Sequence, residues 1–218
     1  MDVRLSDEEY LQTILELEED GIVPIRARLA ERLNISAAAT SEAVPRLVER
    51  GYLFGHDGRT LELTPLGREL GTAVVRRHRL AERFLVDVLR LPWEKAHLEA
   101  SRWEHVLSGE VEAHIVSLLG DPATCPHGNP IPGSKQAEDT SAATSLAAAA
   151  PGPGTVQRIS EQIQTDDSAI AFLVAAALTP GTAIEVASAA SDGVTVHSPS
   201  GEHLVAGDLA ELVWVTAP

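Results

Sequence analysis

Residues 26–50, RARLAERLNISAAATSEAVPRLVER, decide the fold of the first third of the chain. Arg26 to Leu33 reads as a short helix, and Asn34-Ile35-Ser36 turns the chain into another. Ser36 is placed to cap a helix running from Ala37 to Arg50, and Gly51 supplies its stop. Upstream, Ser6 followed by Asp7-Glu8-Glu9 gives a cap with acids in the first turn. Tyr10, Leu11, Ile14, Leu15 and Leu17 then repeat at helical spacing. Downstream, Tyr52-Leu53-Phe54 and Thr60-Leu61-Glu62-Leu63 flank His56-Asp57-Gly58-Arg59, an Asp-Gly hairpin signal. Helix, helix, turn, helix, hairpin is the order of a winged helix-turn-helix. Pro45 inside the third helix removes a hydrogen bond to Ser41 and predicts a kink.

The 218 residues suffice for two or three small domains. A net charge of −15 argues against broad nonspecific attraction to nucleic acid, but the charge is uneven. Residues 1–20 hold one arginine against eight acids, whereas 22–60 hold six arginines against four acids. The basic segment is the one with DNA-reading shape. The acidic N-terminus and the lack of a long apolar run predict a cytoplasmic protein with no membrane contact. The single cysteine, Cys125, excludes an intrachain disulfide.

A further helix is expected from Thr64-Pro65 towards Val88, carrying His78 and Glu82 one turn apart, and another from Glu94 to Leu119. On the second, His97, Ser101, Glu104 and His105 fall on one stripe, a donor set suited to a divalent ion. Eight residues of helix span about 12 Å, so His97 and His105 imply two sites. Solvated side chains on an exposed face are the plainer explanation of such a stripe. Trp103, Val106, Leu107, Val111, Ile115 and Leu118 offer an apolar face, for a partner or for the chain's own core. Residues 136–154, rich in Ala, Ser and Thr and ending in Pro151-Gly152-Pro153-Gly154, read as a flexible linker. Beyond them, β-branched runs at Val156–Ile159, Ala183–Val186, Val194–His197 and Leu212–Val215 predict a small, partly open β-barrel.

Over nearly its whole length the chain resembles the diphtheria toxin repressor family of metal-activated transcriptional regulators. The stretches that carry the resemblance are Tyr10-Leu11, residues 26–33 (RARLAERL), 78–83 (HRLAER), 102–106 (RWEHV) and 128–133 (GNPIPG). Ala183-Ile184-Glu185-Val186 after Pro180-Gly181 resembles the SH3-like domain of the iron-type members. The resemblance implies a mainly α protein in four parts. These are a winged helix-turn-helix over 1–73, a helical metal-binding and dimerisation domain over 74–135, a linker over 136–154 and an SH3-like barrel over 155–218. It further implies a homodimer on a pseudo-palindromic double-stranded DNA operator, and neither catalysis nor a small-molecule substrate.

Carried over by position, the family's ancillary site falls on His78, Glu82, His97, Glu161 and Gln164, and its primary site on Glu9, Ser101, Glu104 and His105. The iron-type members have methionine where Glu9 stands and cysteine where Ser101 stands. Oxygen donors in their place harden the site and favour Mn²⁺ over Fe²⁺, with Zn²⁺ or Co²⁺ expected to activate in vitro. Manganese-type members share the carboxylate at Glu9 but usually carry a second at Ser101, so that part of the match fails. Cys125 and His127, in Cys125-Pro126-His127-Gly128, resemble ligands of a secondary site in some manganese-responsive members; a small buried cysteine is the plainer alternative.

For DNA, Ala37, Ala38, Ala39, Thr40, Ser41 and Glu42 occupy the groove-entering end of the recognition helix. Glu42 stands where glutamine is common and can accept from cytosine N4 but not donate. Arg26, Arg28, Arg46, Arg50 and Arg59 are candidates for phosphate contacts. A metal hydrolase built on the same ligands is disfavoured, since no nucleophile elbow, phosphate loop or HExxH is present. A metal-independent adaptor with a structural ion is the other alternative.

Overall fold

The structure, a computed structural model, describes residues 6–55, 59–136, 142–190 and 192–217. The chain divides into two compact units, residues 1–76 and 77–218.

In the first unit α1 (Asp7–Glu19) starts from a full capping box: the Ser6 side chain accepts the Glu9 amide, and the Glu9 carboxylate accepts the Ser6 amide at 2.5 Å. α2 (Arg26–Arg32) and α3 (Ala37–Glu49) follow, with Asn34 at positive φ between them and the Ser36 hydroxyl accepting the Ala39 amide. Tyr10, Leu11 and Ile14 of α1, Leu29 of α2, and Ala43, Val44 and Leu47 of α3 bury their side chains in one core with Leu53, Leu61 and Leu63. α3 continues through Pro45 as one helix. Both Pro45 and Ser41 are exposed, so water can satisfy the carbonyl that the proline leaves open.

The wing differs from two regular strands. Among the described residues it makes single bridges, Leu53 to Leu63 and Ile25 to Thr60, while His56, Asp57 and Gly58 of the expected turn lie outside them. The Leu61 amide bonds to the Pro24 carbonyl at 2.7 Å, so the returning limb shares its bonds with the chain ahead of α2.

α4 (Pro65–Asp87) begins against the wing. The Thr64 hydroxyl accepts the Gly67 amide, and a Cβ on Gly67 would lie 2.1 Å from the Tyr52 carbonyl oxygen. Backbone has to move to admit it. Gly67→Ala should therefore cost about 1–3 kcal/mol, the usual range for overpacking, read as a lower urea midpoint of the metal-free protein. An unchanged midpoint would mean that this approach is not tight.

In the second unit the expected helix from Glu94 to Leu119 is three pieces: a 3-10 turn (Trp93–Lys95), α5 (Ala96–Trp103) and α6 (Gly109–Leu119). Ser108 ends the continuity, its side chain accepting the Val111 amide as the cap of a new helix. His105 therefore lies beyond the end of α5, and the single stripe from His97 to His105 does not exist. Of the apolar face, Ile115 is buried, Trp103 and Leu107 pack with Leu85 and Ala100, and Val106, Val111 and Leu118 are exposed.

The C-terminal sheet has six antiparallel strands in the order β1-β6-β2-β3-β4-β5. They are β1 (Thr144–Ser145), β2 (Gly152–Ile159), β3 (Ala183–Ala190), β4 (Gly193–Ser198), β5 (Gly201–Ala206) and β6 (Val213–Thr216). Among the described residues two α-helices join them: α7 (Asp167–Ala175), capped by the Asp166 side chain, and the one-turn α8 (Gly207–Ala210). Neither helix nor β5 was expected. The segment read as a flexible linker is corrected in its second half: Thr144–Ser145 pairs with β6, Leu146 is fully buried in the barrel core, and β2 already starts at Gly152. One large apolar side chain is enough to dock a stretch whose composition otherwise signals a linker.

Candidate metal centre

α4 sets His78 and Glu82 one turn apart, both fully buried. α5 brings in His97, and a tight turn at 125–129 brings in Cys125 and His127. Gly128 makes that turn possible: its φ is +84°, and a Cβ there would lie 2.0 Å from the Gln157 carbonyl oxygen. β2 holds the turn from one side, with the Ile159 amide on the His127 carbonyl and the Asn129 side chain donating to the Ile159 carbonyl, both at 2.9 Å.

Among the described residues two donor groups result, one of His78, Glu82 and His97, the other of Glu82, Cys125 and His127. In each, the ligand atoms lie within 4.8 Å of one another, and Glu82 belongs to both. His78 Nε2 is 3.0 Å from His97 Nδ1 and 3.2 Å from Glu82 Oε1, which is also 3.2 Å from His127 Nδ1. Three imidazole nitrogens thus converge on one buried carboxylate. The other oxygen, Glu82 Oε2, is buried with no hydrogen-bond partner among the described residues, as are His127 Nδ1, whose approach to Glu82 lacks hydrogen-bond geometry, and Gln164 Oε1. Buried acceptors without donors are costly unless an electrophile arrives, and nitrogen, oxygen and sulfur donors together suit a first-row divalent ion.

The electrostatics agree. Burial alone would push the His78 imidazole down, but the Glu82 charge and the hydrogen bonds it donates to the Glu104 and Glu82 carboxylates hold it well above its ordinary value. Burial would likewise raise Glu82, yet His127 and His78 hold its carboxyl well below the usual range. Burial, with the Glu82 charge, pushes the Cys125 thiol up. An ion taking these donors has to displace protons from His78 and Cys125.

Of the other residues read as ligands, Glu104 and His105 are together: Glu104 Oε1 is 3.2 Å from His105 Nε2, and Oε2 is 2.5 Å from His78 Nδ1. His78 therefore touches both sets. The Ser101 hydroxyl donates back to the His97 carbonyl at 3.0 Å, as a helix serine often does. Glu161 ion-pairs with Arg79 at 2.8 Å, and Arg79, fully buried, also donates to the Pro130 carbonyl at 2.6 Å. Arg79 was missed by sequence reasoning, although it sits between two motif residues, because burial of a guanidinium has no periodic signature. Glu9, in the first unit, is engaged with Ser6.

In the candidate DNA-reading surface Ala37, Ala38, Ser41, Glu42, Arg26 and Arg59 are exposed, and Ala39 is half-buried. Thr40 is corrected: it is fully buried, its hydroxyl directed to the Ser36 carbonyl, and it packs α3 instead of facing outward. Arg46 and Arg50 both pair with Asp7 of α1, and Arg28 donates to the Val23 carbonyl. The Asp7 partnership had no signal in sequence, being 39 and 43 residues away.

A winged helix-turn-helix followed along the chain by a helical unit with buried imidazoles and carboxylates defines the class of metal-dependent DNA-binding regulators. Residues 4–60 match the iron dependent repressor N-terminal DNA binding domain, and residues 64–133 match the iron dependent repressor metal binding and dimerisation domain. The iron-dependent repressor IdeR of Mycobacterium tuberculosis is 44% identical over 207 residues, covering 90% of each chain. The diphtheria toxin repressor of Corynebacterium diphtheriae is 39% identical over 217 residues, covering 95% of each. A solved manganese-dependent transcriptional repressor in complex with manganese superposes with a TM-score of 0.85 at 32% identity, over 98% of this chain and 100% of that one. The chain belongs to the diphtheria toxin repressor family of metal-dependent transcriptional repressors. Its class is that of repressors, not enzymes.

Proposed function

We propose that the chain is a cytoplasmic, manganese-activated repressor of metal-homeostasis genes that binds a pseudo-palindromic operator as a homodimer. The observation that carries the metal reading is the buried convergence of His78, His97, Cys125 and His127 on Glu82. Glu9 and Ser101 put oxygen donors where the iron-type members carry methionine and cysteine, and that hardness favours Mn²⁺. Ferrous iron is the second reading: relatives 44% and 39% identical over most of the chain carry iron-dependent and diphtheria toxin repressor names. The Cys125 thiol makes the other group softer than the Glu9 set. Among the described residues no helix is long and apolar enough to cross a membrane. Val106, 78% exposed in the connection between α5 and α6, with Leu98 of α5 and Val111 and Leu118 of α6, offers an apolar surface for a second copy.

Metal activates by binding the DNA-competent state more tightly than the incompetent one, which shifts the population. Gel shift under anaerobic Mn²⁺ or Fe²⁺ titration tests this. Operator binding should appear at lower Mn²⁺ than Fe²⁺ and vanish with chelator, and Glu9→Ala should lose the metal response while staying folded by circular dichroism. Equal binding with and without chelator would sink the reading, and a lower threshold for Fe²⁺ would pass the assignment to iron.

A further inference from the structure

Trp93 opens the 3-10 turn between α4 and α5, four residues before His97. Its indole N–H donates to the Pro126 carbonyl at 2.9 Å, the peptide between Cys125 and His127. Its ring lies against the His127 imidazole, with centroids 4.5 Å apart. The ring also packs on the barrel core beyond. β2 holds one side of the 125–129 turn, through the Ile159 amide and carbonyl. Among the described residues Trp93 holds it from the α4–α5 connection. His127 Nδ1 lies 3.2 Å from Glu82 Oε1 on one side of the ring, and the face contact with Trp93 steadies the ring from the other direction.

We infer that Trp93 is a positioning residue for the Glu82, Cys125 and His127 group: it fixes the Pro126 peptide and the His127 ring so that thiol and imidazole meet the same ion. This rests on Cys125 and His127 being ligands. Residues that orient a ligand without touching the ion typically change metal affinity by about 10–100-fold when removed.

Co²⁺ titration of the full-length chain, followed by thiolate-to-cobalt charge-transfer absorption, tests both statements. The wild type should show the band and Cys125→Ser should lack it. Trp93→Leu, which loses ring and donor, should weaken Co²⁺ binding by about 10–100-fold. Trp93→Phe keeps a ring over His127 and loses only the donor, so it should recover most of that loss and sit about fivefold from wild type. A band of wild-type affinity in Trp93→Leu overturns the role of Trp93 and leaves ligation by Cys125 standing. Loss of folded circular dichroism in both variants also overturns it, since Trp93 would then act only through packing. A wild type without the band overturns ligation by Cys125 and the inference with it.

Discussion

Arg79→Met should destabilise the metal-free protein by about 3–5 kcal/mol, the usual cost of removing one partner from a buried ion pair. Arg79 is fully buried and Glu161 nearly so, and their 2.8 Å pair joins α4 to the turn after β2. Without the guanidinium, Glu161 keeps its charge out of water with its main counterion gone, and the Pro130 carbonyl loses a donor. Methionine fills much of the volume, so the loss reports charge and hydrogen bonding more than a cavity. The double variant Arg79→Met/Glu161→Leu should regain most of the stability, because two apolar groups replace the pair. Urea unfolding in chelator reads both; a single variant within 1 kcal/mol of wild type, on the order of a surface pair, would show that the pair is not buried in solution.

Glu82→Gln should remove ion binding by both donor groups at once. The carboxylate is the only acid common to the two clusters, and its Oε1 stands within 3.4 Å of three imidazole nitrogens. Glutamine keeps the shape and one acceptor but not the charge that offsets a dication in a buried site. The expected loss exceeds the 100-fold upper range of substitutions that merely orient a ligand. Isothermal titration with Mn²⁺ measures it. Unchanged affinity and stoichiometry would remove Glu82 from the centre. Cys125→Ser makes the contrast, since it touches one group only and should leave ions held by His78, Glu82 and His97.

Much of this architecture could be read from residue order, and the failures have physical causes. The winged helix was legible because its caps, Ser6 and Ser36, and its turn residues are local signals. The helix from Glu94 to Leu119 was read as continuous because periodicity runs across Trp103–Ser108, yet Ser108 followed by Gly109-Glu110 is itself a start signal and outcompetes continuation. Thr40 was read by position along α3 when its angular place on the helix turns it to the core. Spacing along α4 put His78 and Glu82 together, and the family resemblance added His97 to them. That Glu82 would also face Cys125 and His127 depends on how β2 pins a loop more than forty residues further on, a tertiary fact without local expression. The same holds for Leu146, which a residue count of Ala and Ser could not distinguish from a tether.

The cap at the start of α1 has a consequence for sensitivity. The Glu9 carboxylate that would hold an ion already receives the Ser6 amide. Handing it over costs roughly the worth of a helix cap, about 1 kcal/mol, and raises the half-loading concentration about fivefold. The loading threshold is then tied to a main-chain donor that every residue type except proline would supply at position 6, so it is written into how the first helix begins and not into the choice of side chain there.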